Sequence, residues 1–380
     1  MKKPSLPSPA PSPRGTPLYA VVMAGGRGER FWPVGRAARP KQFVDLFGGK
    51  PLIAHAVGRL RGLVPPERIL VVTSRDLVAA TRRALPELPP SQILGEPCAK
   101  DTAAACATAT AWVKARGGAD AVLAILTADH LIADEPAFRR ILRDAAAFAA
   151  RRPVLGLIGI HPTRPATGYG YVELGGPCAG AGLPRGFRKV KRFVEKPNLG
   201  TAAAYVASGR FVWNSGMFVW RARTFLDALA AHAPALAAMA ERLAPAFAGP
   251  ARGLAAALSR EYAKLERISV DYAVMEKADN LVAARGDFGW DDVGAWPSAG
   301  DHLPHDAAGN AVHGRVETLA AKGGVFVNAQ PGHLLAVLGA EDLVVVHTAD
   351  ATLVCTRDAA PGLKPLVKQI AAARDGARFV

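Results

Sequence analysis

The chain has 380 residues, room for two or three domains at roughly 100 to 200 residues each; half are apolar and 21% charged, which supports a large core and excludes global disorder. Lys and Arg number 47 against 32 Asp and Glu, a formal +15 that draws anions to the surface, whether nucleic acid, acidic lipid or phosphorylated metabolites. Four cysteines, Cys98, Cys106, Cys178 and Cys355, lack CxxC spacing, which argues against a disulfide framework or a cysteine zinc site and for a reducing cytoplasm.

Residues 1–17 begin with two lysines but lack the apolar stretch of a secretory signal, and read as a disordered Pro/Ser tail. From residue 18 to about residue 277, short apolar runs at 18–23, 69–73, 121–127 and 154–160 alternate with helical stretches, as expected of strands buried on both faces. Pro51 opens one helix, with Leu52, Ile53, Ala56, Val57 and Leu60 on one stripe, and residues 102–114 and 136–151 are Ala-rich helical candidates. This alternation predicts an α/β fold: a Rossmann-like, mostly parallel sheet with helices on both faces, ligands binding at the carboxyl ends of its strands.

The first strand runs into Ala24-Gly25-Gly26-Arg27-Gly28-Glu29-Arg30. Glycines at a strand end let backbone amides approach an anion, and arginine adds bidentate contacts to phosphate. The segment is neither a GxxxxGK[ST] loop nor a dinucleotide fingerprint, since Phe31 and Trp32 follow where a third glycine belongs, so it reads as an anion loop or as a plain Gly-rich turn. Lys41, stiffened by Pro40, brings a further cation close in sequence.

After the run at 121–127 come Ala128, Asp129 and His130. A carboxylate there suits Mg²⁺ beside phosphate oxygens, or caps a helix; His130, without a spaced histidine partner, reads as structural. Glu195 and Lys196 offer a carboxylate for sugar hydroxyls and an ammonium for a phosphate, or else an exposed ion pair. Asn214 sets an amide near Gly216, or marks a strand edge. Residues 228–258 are the most apolar long stretch, but His232, Pro234, Glu241, Arg242, Pro245 and Arg252 interrupt it, against a membrane span.

Asp291 and Asp292, bracketed by glycines, form a second acidic pair for a cation or a turn; with Asp129, Asp292 could place one metal between two phosphates. Beyond about residue 297, β-prone runs at 325–327, 334–338, 343–347 and 352–355 recur at roughly ten-residue spacing, predicting a compact β-rich unit closed by a helix at 363–374. The expected organisation is a tail (1–17), a catalytic domain (18–296) and a C-terminal β-rich domain (297–380). No aromatic-interleaved basic stretch and no zinc-finger, RRM or KH signature is present, which argues against nucleic-acid binding.

In order, GGRGERFWP, RPKQF, LTADH, TGYGYVE, FVEKPN, WNSGMFVW, SVDYAVMEK and GWDDVGAW resemble the mannose-1-phosphate guanylyltransferases of the sugar-nucleotide pyrophosphorylase superfamily, across residues 18–296. The resemblance implies a nucleotide-diphospho-sugar transferase fold, with the C-terminal unit as a short left-handed β-helix. It implies that GTP and mannose 1-phosphate give GDP-mannose and diphosphate with Mg²⁺, Mn²⁺ or another divalent ion.

By matching positions, Gly25, Gly26, Arg27 and Gly28 would hold the nucleotide, with Glu96, Pro97, Asp101 and Thr102 around its base and ribose. Arg30 and Lys41 would neutralise the triphosphate, Asp129 and Asp292 would bind the metal, and Lys196 would grip the sugar phosphate. Gly168, Tyr169, Gly170, Glu195 and Asn214 would surround the mannose. The resemblance further implies a homodimer through the C-terminal unit. No membrane or nucleic-acid partner is expected, and because the sequence stops before any cupin-like isomerase domain, the bifunctional form that also isomerises mannose 6-phosphate is not expected.

The sequence departs from that pattern at Lys100-Asp101, where Arg-Asn is common, at Gly35 for a frequent Ser, and at Asp291, either a second metal ligand or a hydrogen-bond acceptor. Other sugar or base specificity, and a catalytically silent sugar-nucleotide-binding regulator, are the alternatives.

Overall fold

A computed structural model describes residues 15–26, 28–249 and 253–380. Arg27 and the expected tail up to residue 14 lie outside the described residues. The strands in chain order are β1 (Leu18–Met23), β2 (Ile69–Ser74), β3 (Ile93–Glu96), β4 (Val122–Thr127), β5 (Leu131–Ile132), β6 (Leu155–Ile160), β7 (Tyr171–Pro177), β8 (Phe187–Val194), β9 (Phe211–Arg221), β10 (Leu281–Gly286) and β11 (Trp290–Asp291). Between them run helices α1 (Leu52–Gly58), α2 (Val78–Ala84), α3 (Thr102–Gly117), α4 (Glu135–Arg151), α5 (Leu199–Ser208), α6 (Ala222–His232), α7 (Pro234–Ala248) and α8 (Leu254–Ala263).

Nine strands form one sheet in the order β3-β2-β1-β4-β9-β6-β10-β8-β7. Both faces are covered, which is why the strands are continuously apolar. Along β1, Tyr19 and Val21 enter a core with Trp112 of α3, Phe225 of α6 and Leu243 of α7, while Ala20 and Val22 enter the opposite core with Ile53 of α1 and Phe138 of α4.

The expectation of a mostly parallel sheet holds for β3, β2, β1 and β4, and for the β6–β10 pair. The remainder is mixed, because β9 lies antiparallel between β4 and β6, and β7 and β8 pair antiparallel at the far edge. Burial on both faces makes a strand apolar whichever way it runs, so its direction leaves no mark in the composition.

In the parallel half, Met23 stands opposite both Val72 and Thr127, and Ser74 opposite Glu96. The loops after β1, β3 and β4 therefore open side by side at one sheet end.

Short α9 (Trp296–Gly300) leads into β12 (Ala311–His313), β13 (Val316–Leu319), β14 (Val325–Asn328), β15 (Leu335–Leu338), β16 (Leu343–His347) and β17 (Thr352–Thr356), then α10 (Leu363–Ala372). Strands β12, β14 and β16 stack in parallel, as do β13 and β15, giving coils of a short β-helix. Asn310 and Asn328 turn inward at its corners, the Asn310 amide donating to Ala321 O at 2.9 Å and the Asn328 amide to His333 O at 2.8 Å.

This unit is not a separate bead. Val325, Val344, Leu353 and Leu363 share one core with Phe31, Trp32, Val44, Leu52 and Trp296. Trp32 Nε1 donates to Phe379 O at 2.6 Å, and the Arg36 guanidinium makes two hydrogen bonds to the Asp350 carboxylate.

Candidate active site

The glycine loop is held from below. Buried Gln42 donates its amide to Ala24 O (2.8 Å) and Gly26 O (3.1 Å), and the Thr73 hydroxyl donates to Ala24 O at 3.1 Å. Gly28 has φ +59°, and a β-carbon there would lie 2.5 Å from Lys41 Cβ, so both backbone angle and space require glycine. That close approach seats Lys41, only 5% exposed, beneath the loop.

The Lys41 ammonium donates to Asp129 Oδ2 at 3.1 Å and to the backbone carbonyl of Asp292. One buried cation thus ties together the two acidic segments. Burial pushes the Asp129 carboxyl up, but Lys41 and His130 more than offset this and hold it below its ordinary value. Asp292 Oδ1 accepts from the Tyr169 hydroxyl at 2.6 Å, and the Tyr169 phenol is raised by burial and by the Asp292 charge.

A cavity of about 790 Å³ opens over these groups, within the usual size of a ligand site. Gly25, Gly26, Gly28, Arg30, Lys41, Glu96, Asp101, Thr102, Asp129 and Asp292 all line it. Arg30 is exposed and, among the described residues, forms no ion pair. Asp129 and Asp292 are hard oxygen donors of the kind Mg²⁺ takes alongside phosphate and water, and no larger His/Cys/Asp/Glu cluster occurs among the described residues. The donor set fits that ion.

Asp291 turns out to be a hydrogen-bond acceptor, with Oδ1 taking the Val293 N–H at 2.7 Å and Oδ2 paired with His302 Nε2 at 2.9 Å. His130 has a structural place, its Nδ1 accepting from Trp290 Nε1 at 3.0 Å beside Asp129.

In the same cavity, Glu96 accepts a hydrogen bond from the Tyr262 hydroxyl at 3.1 Å. Burial pushes the Glu96 carboxyl up to about 7, against the pull of that hydroxyl and with a push from Asp101. Asp101 adopts φ 67° and caps α3 by accepting from Thr102 N at 2.9 Å. With ψ −173° the residue lies outside the left-handed helical region that Asp and Asn tolerate, in an extended positive-φ conformation that is costly for any side chain. Thr102 Oγ1 accepts from Val270 N at 2.9 Å, whereas Pro97 stands outside the cavity lining.

The expected sugar residues gather beside this cavity. Asn214 N donates to Gly170 O at 2.8 Å, and a β-carbon at Gly170 would collide with Glu195 Oε2. Lys196 Nζ pairs with Glu195 Oε1 at 2.7 Å, while Glu195 Oε2 is buried and accepts no hydrogen bond among the described residues. Tyr169, hydrogen-bonded to Asp292, joins this cluster to the cavity; Gly168 lies on an exposed turn with open space around it.

Sequence reasoning missed Asp271. Its carboxylate accepts from Asn214 Nδ2 at 2.9 Å while Asn214 Oδ1 accepts from Gly216 N at 3.0 Å, so the amide is clamped at both ends. Burial, then the nearby Glu195 charge, raises the Asp271 carboxyl to about 6. The available signal was its position within SVDYAVMEK, one of the eight resembling segments. Gln42, inside RPKQF, was missed as the loop's anchor in the same way.

The nucleotidyl transferase family matches residues 19–308, and the MannoseP isomerase/GMP-like beta-helix domain matches residues 315–370. The chain is 39% identical to the mannose-1-phosphate guanylyltransferase of Escherichia coli K12 over 358 residues, 93% of this chain and 74% of that protein. It is also 39% identical over 359 residues to the xanthan biosynthesis protein XanB of Xanthomonas campestris pv. campestris (strain ATCC 33913), 94% of this chain and 74% of that one. A crystal structure described as a mannose-1-phosphate geranyltransferase from Thermus thermophilus superposes with a TM-score of 0.82 at 37% identity, covering 93% of this chain and 99% of that chain.

Proposed function

Since the chain belongs to the nucleotidyl transferase family and, within it, to the mannose-1-phosphate guanylyltransferases, we propose that it makes GDP-mannose and diphosphate from GTP and mannose 1-phosphate. The observation that carries this reading is the convergence of the glycine loop, Lys41, Asp129 and Asp292 in one cavity, with the Asn214–Glu195–Lys196 cluster tied to it through Tyr169.

A sugar-phosphate oxygen attacks the α-phosphorus in line; a new P–O bond forms, the bond to the bridging oxygen of the β-phosphate breaks, and diphosphate leaves with the electron pair. The attacking phosphate is already anionic, so the chain need supply no general base. Its contribution is positioning and charge neutralisation.

Gly25, Gly26 and Gly28 present backbone to the phosphates, Arg30 and Lys41 offset their charge, and Lys196 meets the sugar phosphate. Glu195 Oε2, buried without a donor among the described residues, suits a sugar hydroxyl, and the clamped Asn214 amide keeps one N–H for the same ligand. Glu96 suits the N–H donors of guanine, with Asp101 and Thr102 beside it. Asp129 and Asp292 would hold Mg²⁺, which when bound shields the charge of the phosphates.

We further read the protein as a cytoplasmic homodimer. The four free cysteines support a reducing compartment, and Leu319 and Leu338, adjacent in register and exposed on the β-helix, support pairing through that unit.

Diphosphate release with each of four NTPs, crossed with mannose 1-phosphate and glucose 1-phosphate and repeated in EDTA, tests the reaction. A signal confined to GTP with mannose 1-phosphate and lost in EDTA is expected. A signal with another pair would move the specificity, and silence throughout would leave a sugar-nucleotide-binding protein.

A further inference from the structure

The C-terminal unit reaches the nucleotide cavity. Lys364, on the first turn of α10, lines it together with Arg30 and Lys41. Its position is enforced, because Leu363 is buried in the core that holds Phe31 and Trp32, and Val367 and Ile370 of the same helix pack against that core. The chain beyond α10 reinforces this seat through the Trp32–Phe379 hydrogen bond.

Among the cations lining the cavity, which also include Lys100 and Arg267, the three residues Arg30, Lys41 and Lys364 are not equivalent. Lys41 is buried and already shared between Asp129 and the Asp292 carbonyl. Lys364 is 54% exposed, and its one anionic partner among the described residues, Glu29 Oε2, stands 4.0 Å away at the limit of an ion pair. An exposed pair at that separation contributes little, so the ammonium is available to a stronger anion. Arg30 is likewise exposed and without an ion pair among the described residues.

We propose that Lys364 is a phosphate-binding residue which, with Arg30, receives the β- and γ-phosphates of the nucleotide and the diphosphate as it departs. The C-terminal unit then completes the active site rather than only supporting it. This inference rests on the guanylyltransferase reading. It assigns Lys364 to the diphosphate end, whereas Lys196 serves the sugar phosphate.

The test titrates inorganic diphosphate, with Mg²⁺ present, into the full-length protein and its Lys364→Met and Lys364→Arg variants, and measures KM for both substrates. Lys364→Met should weaken diphosphate binding and raise KM for GTP by about fivefold to tenfold, leaving KM for mannose 1-phosphate within about twofold. Lys364→Arg should restore most of the loss, and melting temperatures should coincide, since methionine keeps the apolar stem. Unchanged diphosphate affinity in Lys364→Met, or an equal rise in both KM values, overturns the assignment. If the wild type releases diphosphate from no nucleotide, the guanylyltransferase reading fails instead, and the diphosphate titration still judges Lys364 on its own.

Discussion

Glu96 lines the cavity with one hydroxyl among the described residues, that of Tyr262, to share its charge. Burial raises its carboxyl to about 7, so the folded chain holds this proton more tightly than the unfolded chain does. The stability that follows is fully present below the unfolded value and is lost as pH rises through about 7. Glu96→Gln should therefore melt at a relatively higher temperature than the wild type above about pH 7, with the gap closing toward about pH 5. Two melting curves that run parallel across this range would remove the buried charge from the account. Only the ionised carboxylate accepts two N–H donors from a base, so KM for GTP in the wild type should fall as pH rises through the same range. A KM indifferent to pH there would take Glu96 out of base recognition.

Among the elements, the turn at Gly28 couples two segments of the phosphate site. Alanine there would add a left-handed conformation that costs about 1–3 kcal/mol and a collision with Lys41. Gly28→Ala should lower the melting temperature and cut kcat/KM by about a hundredfold, since displacing Lys41 also displaces Asp129. Retained activity would show that the loop and Lys41 move independently. The loop and the first parallel strands were legible in the sequence because buried strands are continuous runs of Val, Ile and Leu, and because glycine at a strand end is conspicuous. Other parts were not. β3 is four residues long and contains Gly95, β7 ends in Gly175, Gly176 and Pro177, and β8 carries Arg and Lys along its length. Asp271 meets Asn214 only because α6, α7 and α8 fold back between them. Lys364 looks in sequence like any solvated lysine on an amphipathic helix, and only the shared core brings it to the nucleotide.

At the scale of the whole molecule, the apolar residues that follow the glycine loop have their partners in the β-helix. A chain ending at residue 308, where the nucleotidyl transferase match stops, would uncover Phe31, Trp32, Val44 and Trp296. Such a fragment should aggregate or bind a hydrophobic dye strongly, and should not bind diphosphate. A soluble fragment with wild-type turnover would show that the shared core is dispensable. The arrangement also gives synthesis a direction. Phe31 and Trp32 leave the ribosome early, while Leu353, Leu363 and the Phe379 carbonyl that cover them are made more than about 300 residues later. The nascent chain therefore carries its nucleotide loop with two aromatic rings bare until the β-helix has been made, a window in which chaperone protection matters most and binding competence has yet to arise.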